Sequence, residues 1–429
     1  MSTDQLTGTY SYDKFRAEAL KKLADKKKKY SVAFFGIRDF SRINDEYGFH
    51  TGDIVIKAMA NRIQDTLREN EIVCRVKGDD FIVLMEGCGA QGLIERVSHI
   101  FCTLNILLHE KYQGIQLNCM CGIYQIQSSD YSISRILDKA NRAKTMAMNA
   151  NADGDSIFLY TKEYEKQEDE EKQLERELIQ AIRNEEFEVY IQPKVNLGDE
   201  KIGGAEALVR WIGADGKMIS PGKFVPLAEK NGMVVDIDHI VYRKLFSFMR
   251  EWLKEGKEVP TISINASRLH FNDDKFPGYL KELLTQYQIP SELVEVEVTE
   301  SVFFGNMERM VSMIKKIRDL GVSISMDDFG TGYSTLSLMK SLPIDVLKVD
   351  GSFFMRSELD EKNRAVISAI IHLAKSLGMD VVCEGIETKE QVEFVKEQKG
   401  DMAQGFYYYK PMPALEFYAL LEDKEEGHT

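Results

Sequence analysis

Two adjacent carboxylates, Asp327 and Asp328, separate an alternating run, SISM, from a glycine-rich turn in the stretch SISMDDFGTGYS. At the end of a mostly buried strand such a pair repels itself and loses hydration, so something positive must meet it. More polar residues fall at the ends of other strand-like runs: Glu206, Asn265, Glu297 with Glu300, Lys348 with Asp350, Glu384 with Glu387, and Gln404. Lys348 and Arg210 cannot balance so many negative charges, whereas bound divalent cations can. Adjacent aspartates suit contact with two ions about 4 Å apart, the arrangement used for in-line displacement at phosphorus. The turn at Gly330 and Gly332 offers the freedom of a closing or regulatory loop. Taken singly, each residue has a plainer use: a solvated acid, Asn265 as a helix cap, Lys348 as a partner of Asp350.

These residues need elements that gather them. The second half contains eight strand candidates: VYIQPKV, GGAEALVRW, PTISINAS, LVEVEVTE, VSISMDD, DVLKVD, MDVVCEGIE and MAQGFYYY. Amphipathic stretches of helical length separate nearly all of them. Eight strand and helix units over about 250 residues predict a closed (β/α)8, TIM-like barrel with its active site at the carboxyl ends of the strands. The first half reads as strand YSVAFFGI, a helix from Asp53 to about Asn70, and a hairpin of IVCRV and FIVLME around KGDD. A helix over about 91–111, strand IQLNCMCGIYQI, a helix over about 132–149 and strand SIFLY follow. That order predicts a palm-like (ferredoxin-like) α/β domain. Between the halves, 162–184 is rich in Glu, Lys and Gln, with Leu174, Leu178 and Ile182 spaced by four, as in a connecting helix with one apolar stripe. The expected division is a domain over 1–161, a helical linker over 162–184 and a barrel over 185–429.

With 429 residues, 44% hydrophobic and 29% charged, the chain suits two globular domains. Its longest apolar-rich run, IFCTLNILL, is too short for a bilayer and MSTDQLTGTY lacks a signal-peptide pattern, so no membrane segment and a cytoplasmic location are expected. The six cysteines form no CxxC pair, and Cys119 and Cys121 read as structural thiols. The seven histidines are scattered, which leaves oxygen ligands and hard cations, Mg²⁺ or Mn²⁺. A net charge of -14 argues against a nucleic-acid polymer as partner. The DFG triplet also occurs in protein kinases, but no HRD-type loop or VAIK lysine accompanies it here.

In order over about 187–415, EALVR, INAS, EVTES, DDFGTGYSTL, LKVD, EGIE and QGFYYYKPMP resemble the EAL domain of cyclic di-GMP phosphodiesterases. The resemblance implies hydrolysis of cyclic di-GMP to pGpG with two Mg²⁺ or Mn²⁺ ions. It implies Glu206, Asn265, Glu297 and Asp327 as ligands of one metal, with Asp327 and Asp328 reaching the second. Glu384 would help activate the attacking water and Lys348 would orient it or a phosphate oxygen, so Glu384, Lys348 and Asp328 are the expected catalytic residues. Gln192, Arg210, Glu387 and Gln404 would contact substrate, and Glu300 would anchor the DDFGTG loop.

The first half resembles the GGDEF domain of diguanylate cyclases from DQLTG to about residue 160, with departures. The signature reads KGDDF, with Lys77 for a glycine and Asp80 for a glutamate. Gly36 and Arg38 stand where the family has acids, and Asp39 is expected to face the opposite side of the strand. Met148 occupies the place of a phosphate-binding lysine, and RENE (Arg68 to Glu71) replaces RxxD, while Asn44 and Asp53 keep the base-recognising positions. A degenerate domain that makes no cyclic di-GMP is implied, regulatory or dimerising, with GTP binding left open and an inert relic as the alternative. Family analogy favours a homodimer. A non-catalytic cyclic di-GMP receptor acting through partner proteins, and a residual cyclase, are the competing readings.

Overall fold

The computed structural model describes the chain except for residues 1, 26, 88, 112–115, 151–153, 273, 304–306, 330–341, 355–360 and 427–429. The chain divides into two compact units, residues 1–170 and 171–429.

The first unit is a five-stranded sheet in the order β2-β3-β1-β4-β5. Its strands are β1 (Tyr30–Ile37), β2 (Ile72–Lys77), β3 (Asp80–Glu86), β4 (Cys119–Gln125) and β5 (Ser156–Tyr160). Its helices are α1 (Tyr12–Leu23), α2 (Phe40–Tyr47), α3 (Phe49–Asp65), α4 (Ala90–Lys111) and α5 (Ile133–Asn149). Central strand β1 is buried at every position because both faces are covered. Ala33, Phe35 and Ile37 join a core with Met59, Ile63 and Val97 from α3 and α4, while Val32 and Phe34 join Phe15 and Ile136 from α1 and α5. Cys119 and Cys121 sit on one face of β4 in the first of these cores, where burial pushes both thiols well up.

Three details differ from the sequence reading. Helices α1 and α2 were not anticipated. The helix expected from Asp53 to Asn70 runs from Phe49 to Asp65, because the chain turns at 68–71, where the Glu71 carboxylate accepts the Arg68 N–H at 2.9 Å. Asp39 is not on the strand at all: β1 ends at Ile37, and Asp39 adopts a left-handed conformation (φ 52°) ahead of α2, so strand alternation does not place its side chain.

Helix α6 (Lys162–Asn184) leads into the second unit, where Leu178 is buried in the core and Leu174 and Ile182 pack against it. Ten strands follow: β6 (Phe187–Asn196), β7 (Ile202–Ile212), β8 (Met218–Ile219), β9 (Thr261–Asn265), β10 (Val294–Thr299), β11 (Ser323–Phe329), β12 (Val346–Val349), β13 (Asp380–Cys383), β14 (Met402–Ala403) and β15 (Met412–Pro413). Eight of them close a barrel in the order β6-β14-β13-β12-β11-β10-β9-β7, with β7 returning to β6. Helices α7 (Pro221–Asn231), α8 (Val234–Lys254), α9 (Phe276–Tyr287), α10 (Met307–Arg318), α11 (Glu361–Ser376), α12 (Lys389–Glu397) and α13 (Ala414–Glu426) contribute to the same unit. Along β10 the period of two is plain: Val294, Val296 and Val298 join the apolar core, and the intervening Glu295 and Glu297 are buried with ionic partners.

The barrel departs from eight uniform βα units. Strand β6 is antiparallel to both β7 and β14, while the other seven run parallel. A tight turn joins β6 to β7, with the Asn196 N–H donating to Lys201 O at 2.8 Å, so no helix intervenes and the chain reverses. The expected strand MAQGFYYY shrinks to Met402–Ala403, because Ile386 N–H and Tyr407 N–H draw the following segment into a turn on Gln404 O and Ile386 O. Among the described residues no helix is long and apolar enough to cross a membrane.

In the first unit one buried acid, Glu71, joins β3 to α4. Glu71 accepts from Arg96 Nη1 (2.8 Å), Arg96 Nη2 (2.7 Å) and the Glu86 N–H (2.9 Å) besides Arg68. It is therefore a structural group. Burial alone would raise its pKa, but Arg96 and the two backbone donors outweigh that and hold it below the usual carboxylate range. A depressed pKa contributes stability above the unfolded value near 4.3 that is lost as pH falls. Arg96→Ala should cost the first unit about 3–5 kcal/mol at pH 7 and less at pH 4, where Glu71 can take a proton. Hydrogen exchange of β3 amides checks this, since both tryptophans, Trp211 and Trp252, lie in the barrel.

Candidate active site

Lys348 is fully buried on β12, and its Nζ is the hub of the barrel. It lies 2.5 Å from Glu297 Oε2, 2.7 Å from Glu384 Oε1, 3.1 Å from Asp327 Oδ1 and 3.4 Å from Glu206 Oε2. Burial pulls its pKa down, but the charges of Glu206, Glu297, Glu384 and Asp327 outweigh that and hold it well above the ordinary value. One ammonium cannot serve four carboxylates equally. Burial lifts Glu384 to about 7, with Lys348 opposing and Glu206 and Glu297 adding repulsion. Burial likewise lifts Asp327 far above its usual range, again against Lys348 and with help from Glu297, Glu384 and Glu206.

Glu297 escapes this. Burial would raise it too, yet Lys194 and Lys348 together hold it down near 2. Lys194 was missed in the sequence, although its i, i+2 spacing with Gln192 was the signal that both share one face of β6. Only the reversed direction of β6 carries Lys194 to the barrel floor.

The remaining candidates meet around this hub. Asn265 Nδ2 donates to Glu206 Oε1 at 3.0 Å, and Tyr242 OH holds the Asn265 carbonyl at 2.5 Å. Gln404 Nε2 donates to Glu206 Oε2 (2.7 Å) and Gln192 Oε1 (3.1 Å), while Gln192 Nε2 donates to Tyr409 O (3.1 Å). Asp328 is solvent-accessible in a left-handed conformation (φ 54°), with its N–H on Asp327 Oδ1 at 2.9 Å; partial desolvation at the mouth and then Asp350 raise its pKa. Asp350 does not pair with Lys348 and accepts instead from Ser352 N–H at 2.9 Å. Asp327, Asp328 and Glu384 each offer an oxygen, and these lie within 4.8 Å of one another.

A cavity of about 340 Å³ opens here, lined by Asp327 and Glu384 together with Gln192, Glu206, Glu387, Gln404 and Phe406. Arg210 is not part of it. Its guanidinium bonds Val209 O at 2.8 Å, lies 5.5 Å from the centre of the Tyr190 ring and borders an adjoining cavity of about 330 Å³ with Asn265 and Glu297. Glu300 is buried, and neither of its oxygens has a hydrogen-bond partner among the described residues. The loop it was expected to anchor, with Gly330 and Gly332, lies outside the described residues. Gly385 (φ 64°) lets the strand ends approach closely: a Cβ there would lie 2.7 Å from Gly351 Cα.

In the first unit the acids are met by the protein itself. Lys144 Nζ lies 2.5 Å from Asp80 Oδ1 and 4.5 Å from the centre of the Phe34 ring, and Asp79 accepts the Ile37 N–H at 2.6 Å. A Cβ at Gly36 would lie 3.4 Å from both Asp80 and Lys144. Arg38 caps the end of α5 through Ala147 O and Ala150 O. Met148 is exposed, and Lys144, one turn earlier, is the cation the sequence reading missed. Lys77 is exposed, Asn44 packs on Gly52, and Asp53 is exposed on α3.

The chain belongs to the EAL domain family, which matches residues 175–411. The diguanylate cyclase GGDEF domain family matches residues 1–154. The chain is 30% identical over 421 residues, covering 96% of itself and 52% of the relative, to cyclic di-GMP phosphodiesterase NbdA of Pseudomonas aeruginosa. It is 32% identical over 400 residues, 91% of itself and 57% of the relative, to bifunctional diguanylate cyclase/cyclic di-GMP phosphodiesterase MucR of the same organism. The chain thus spans about half the length of these relatives. A solved structure, PaMucR phosphodiesterase in complex with c-di-GMP, aligns with a TM-score of 0.55 at 35% identity over 57% of this chain and 99% of that one.

The hub sets a stability test. Lys348→Met removes the ammonium from four acids and should cost the metal-free barrel about 3–5 kcal/mol at pH 8. A carboxyl with a raised folded pKa favours the fold most at low pH, so the loss should shrink at pH 6, where Glu384, near 7, holds a proton. Urea unfolding followed by tryptophan fluorescence reports the barrel alone; an equal loss at both pH values would contradict the charge account.

Proposed function

We propose that the barrel hydrolyses cyclic di-GMP to linear pGpG with two divalent cations, Mg²⁺ or Mn²⁺. The observation that carries this reading is the shortage of positive charge at the mouth: Lys348 is shared by Glu206, Glu297, Asp327 and Glu384, Lys194 reaches Glu297 from the floor, and Asp328 adds a further acid. Membership of the EAL family and the likeness to two proteins named as cyclic di-GMP phosphodiesterases support it.

The residues fit a pair of hard cations. Every donor is oxygen, and Asn265, whose backbone carbonyl accepts from Tyr242 OH and whose Nδ2 donates to Glu206, keeps its side-chain oxygen Oδ1 for a cation. Glu206, Asn265, Glu297 and Asp327 would hold one ion, and Asp327 with Asp328 the second. Bound there, the ions supply Lewis-acid activation of water and neutralise charge developing at phosphorus.

The chain's own groups do the rest. Glu384, near 7, is suited to take a proton from the attacking water at neutral pH, using the oxygen that Lys348 does not hold. Lys348, always charged, orients that water or a phosphate oxygen. Asp328, exposed at the mouth, completes the catalytic set. Gln192, Gln404 and Glu387 line the cavity for substrate, with Arg210 contributing from the adjoining one. Glu300 is read as the anchor of the DDFGTG loop. The first unit is read as a regulatory domain without cyclase activity, supported by Lys144 on Asp80 and by Gly36 and Arg38 at the positions of the family's acids.

Incubation of the purified chain with cyclic di-GMP and Mn²⁺ should yield pGpG by chromatography, and Asp327→Asn should lower turnover by about 10²-fold or more. Ca²⁺ should inhibit. Cyclic di-GMP binding without turnover in Mn²⁺ would favour the receptor reading instead. The raised carboxyls add a pH signature: a proton must leave Asp327 before it can ligate, and ionising Glu384, near 7, puts a further negative charge beside the cations, so Mn²⁺ affinity should rise from pH 6 to pH 8 with proton release. Calorimetry in two buffers of different ionisation enthalpy measures both; a flat affinity would contradict the assignment.

A further inference from the structure

We infer that Lys194 is a positioning residue for the proposed metal site, a fixed cation on the barrel floor that locks the Glu297 carboxylate from below. This inference rests on the phosphodiesterase reading.

Its three N–H donors are all engaged: Glu297 Oε1 at 3.0 Å, Glu295 Oε1 at 3.0 Å and Ser263 Oγ at 2.9 Å. Ser263 in turn donates to Ala205 O at 3.2 Å, which ties the ammonium to the β7 backbone. Glu297 is thereby held at both oxygens, Oε1 by Lys194 and Oε2 by Lys348. The β6 reversal makes this possible, since Lys194 pairs in register with Gly204 while Gln192 pairs with Glu206. Without Lys194, Glu297 would lose its ionic partner at Oε1. Groups that orient metal-ligating residues typically control metal affinity 10- to 100-fold.

Lys194→Met alone strands two buried acids, so the decisive variant is K194M/E295L, which removes the lysine together with the acid that only it pairs. Tryptophan fluorescence confirms that the barrel is folded. Mn²⁺ binding followed by electron paramagnetic resonance should weaken about 10- to 100-fold in K194M/E295L and stay within about twofold in E295L, where Lys194 still holds Glu297. At saturating Mn²⁺, kcat should fall while KM for cyclic di-GMP stays within about threefold, because Lys194 touches no substrate. If the parent binds Mn²⁺ and K194M/E295L binds it within twofold, the inference about Lys194 is overturned and the function stands. A parent that binds no Mn²⁺ overturns the function itself and this inference with it.

Discussion

The barrel is organised around an unpaid electrostatic debt at Lys348. Two unit charges about 3 Å apart attract by about 5 kcal/mol at the effective dielectric of a protein interior, and the same law makes each acid repel its neighbours. Glu206, Glu297, Asp327 and Glu384 share one ammonium, and the outcome depends on what else each one meets. Glu297 has a second lysine and is held down near 2; Glu384 has none and rises to about 7. The gradient runs from a saturated floor to an undersupplied mouth, and the mouth is where a divalent cation gains most.

The backbone serves this gradient. A parallel first strand would have carried Lys194 to the mouth, where it would have neutralised the very acids that need a cation. Reversal of β6 sends it to the floor and leaves Gln192, two residues earlier, to bond Gln404 near the opening. Gly351 and Gly385 bring the ends of β12 and β13 together, so that Lys348 and Glu384 come from neighbouring strands yet share one contact. Gly405 does the same beyond β14, since any side chain there would overlap the Ile386 backbone.

Strand alternation and strand ends made much of this readable. Glu206, Asn265, Glu297, Asp327, Lys348 and Glu384 each sit at the carboxyl end of an apolar run, and closure of a barrel is enough to bring such ends together. What alternation cannot encode is the direction of a strand or the reach of a long side chain. Lys194 depended on the first, Lys144 and Arg96 on the second. Asp39 failed for a third reason: the period of two holds only while the strand lasts, and β1 stops two residues short of it. Arg210 shares a strand face with Glu206, but four residues along a twisted strand move it into the next cavity.

The two units offer contrasting solutions to the same problem. In the first, Asp80 is matched by Lys144 from the neighbouring helix, and Asp79 by a backbone N–H, so each acid has a resident partner and a cation would have to displace one. In the second, acids outnumber the lysines that face them, and the nearest spare donors, Asn265 and Gln404, are amides without charge. A site whose acids are already satisfied has little to gain from a metal, whereas one that raises its carboxyls by crowding binds a metal with the strain it releases. On that argument the proposed chemistry belongs to the barrel, while the first unit has its charge demand internally met.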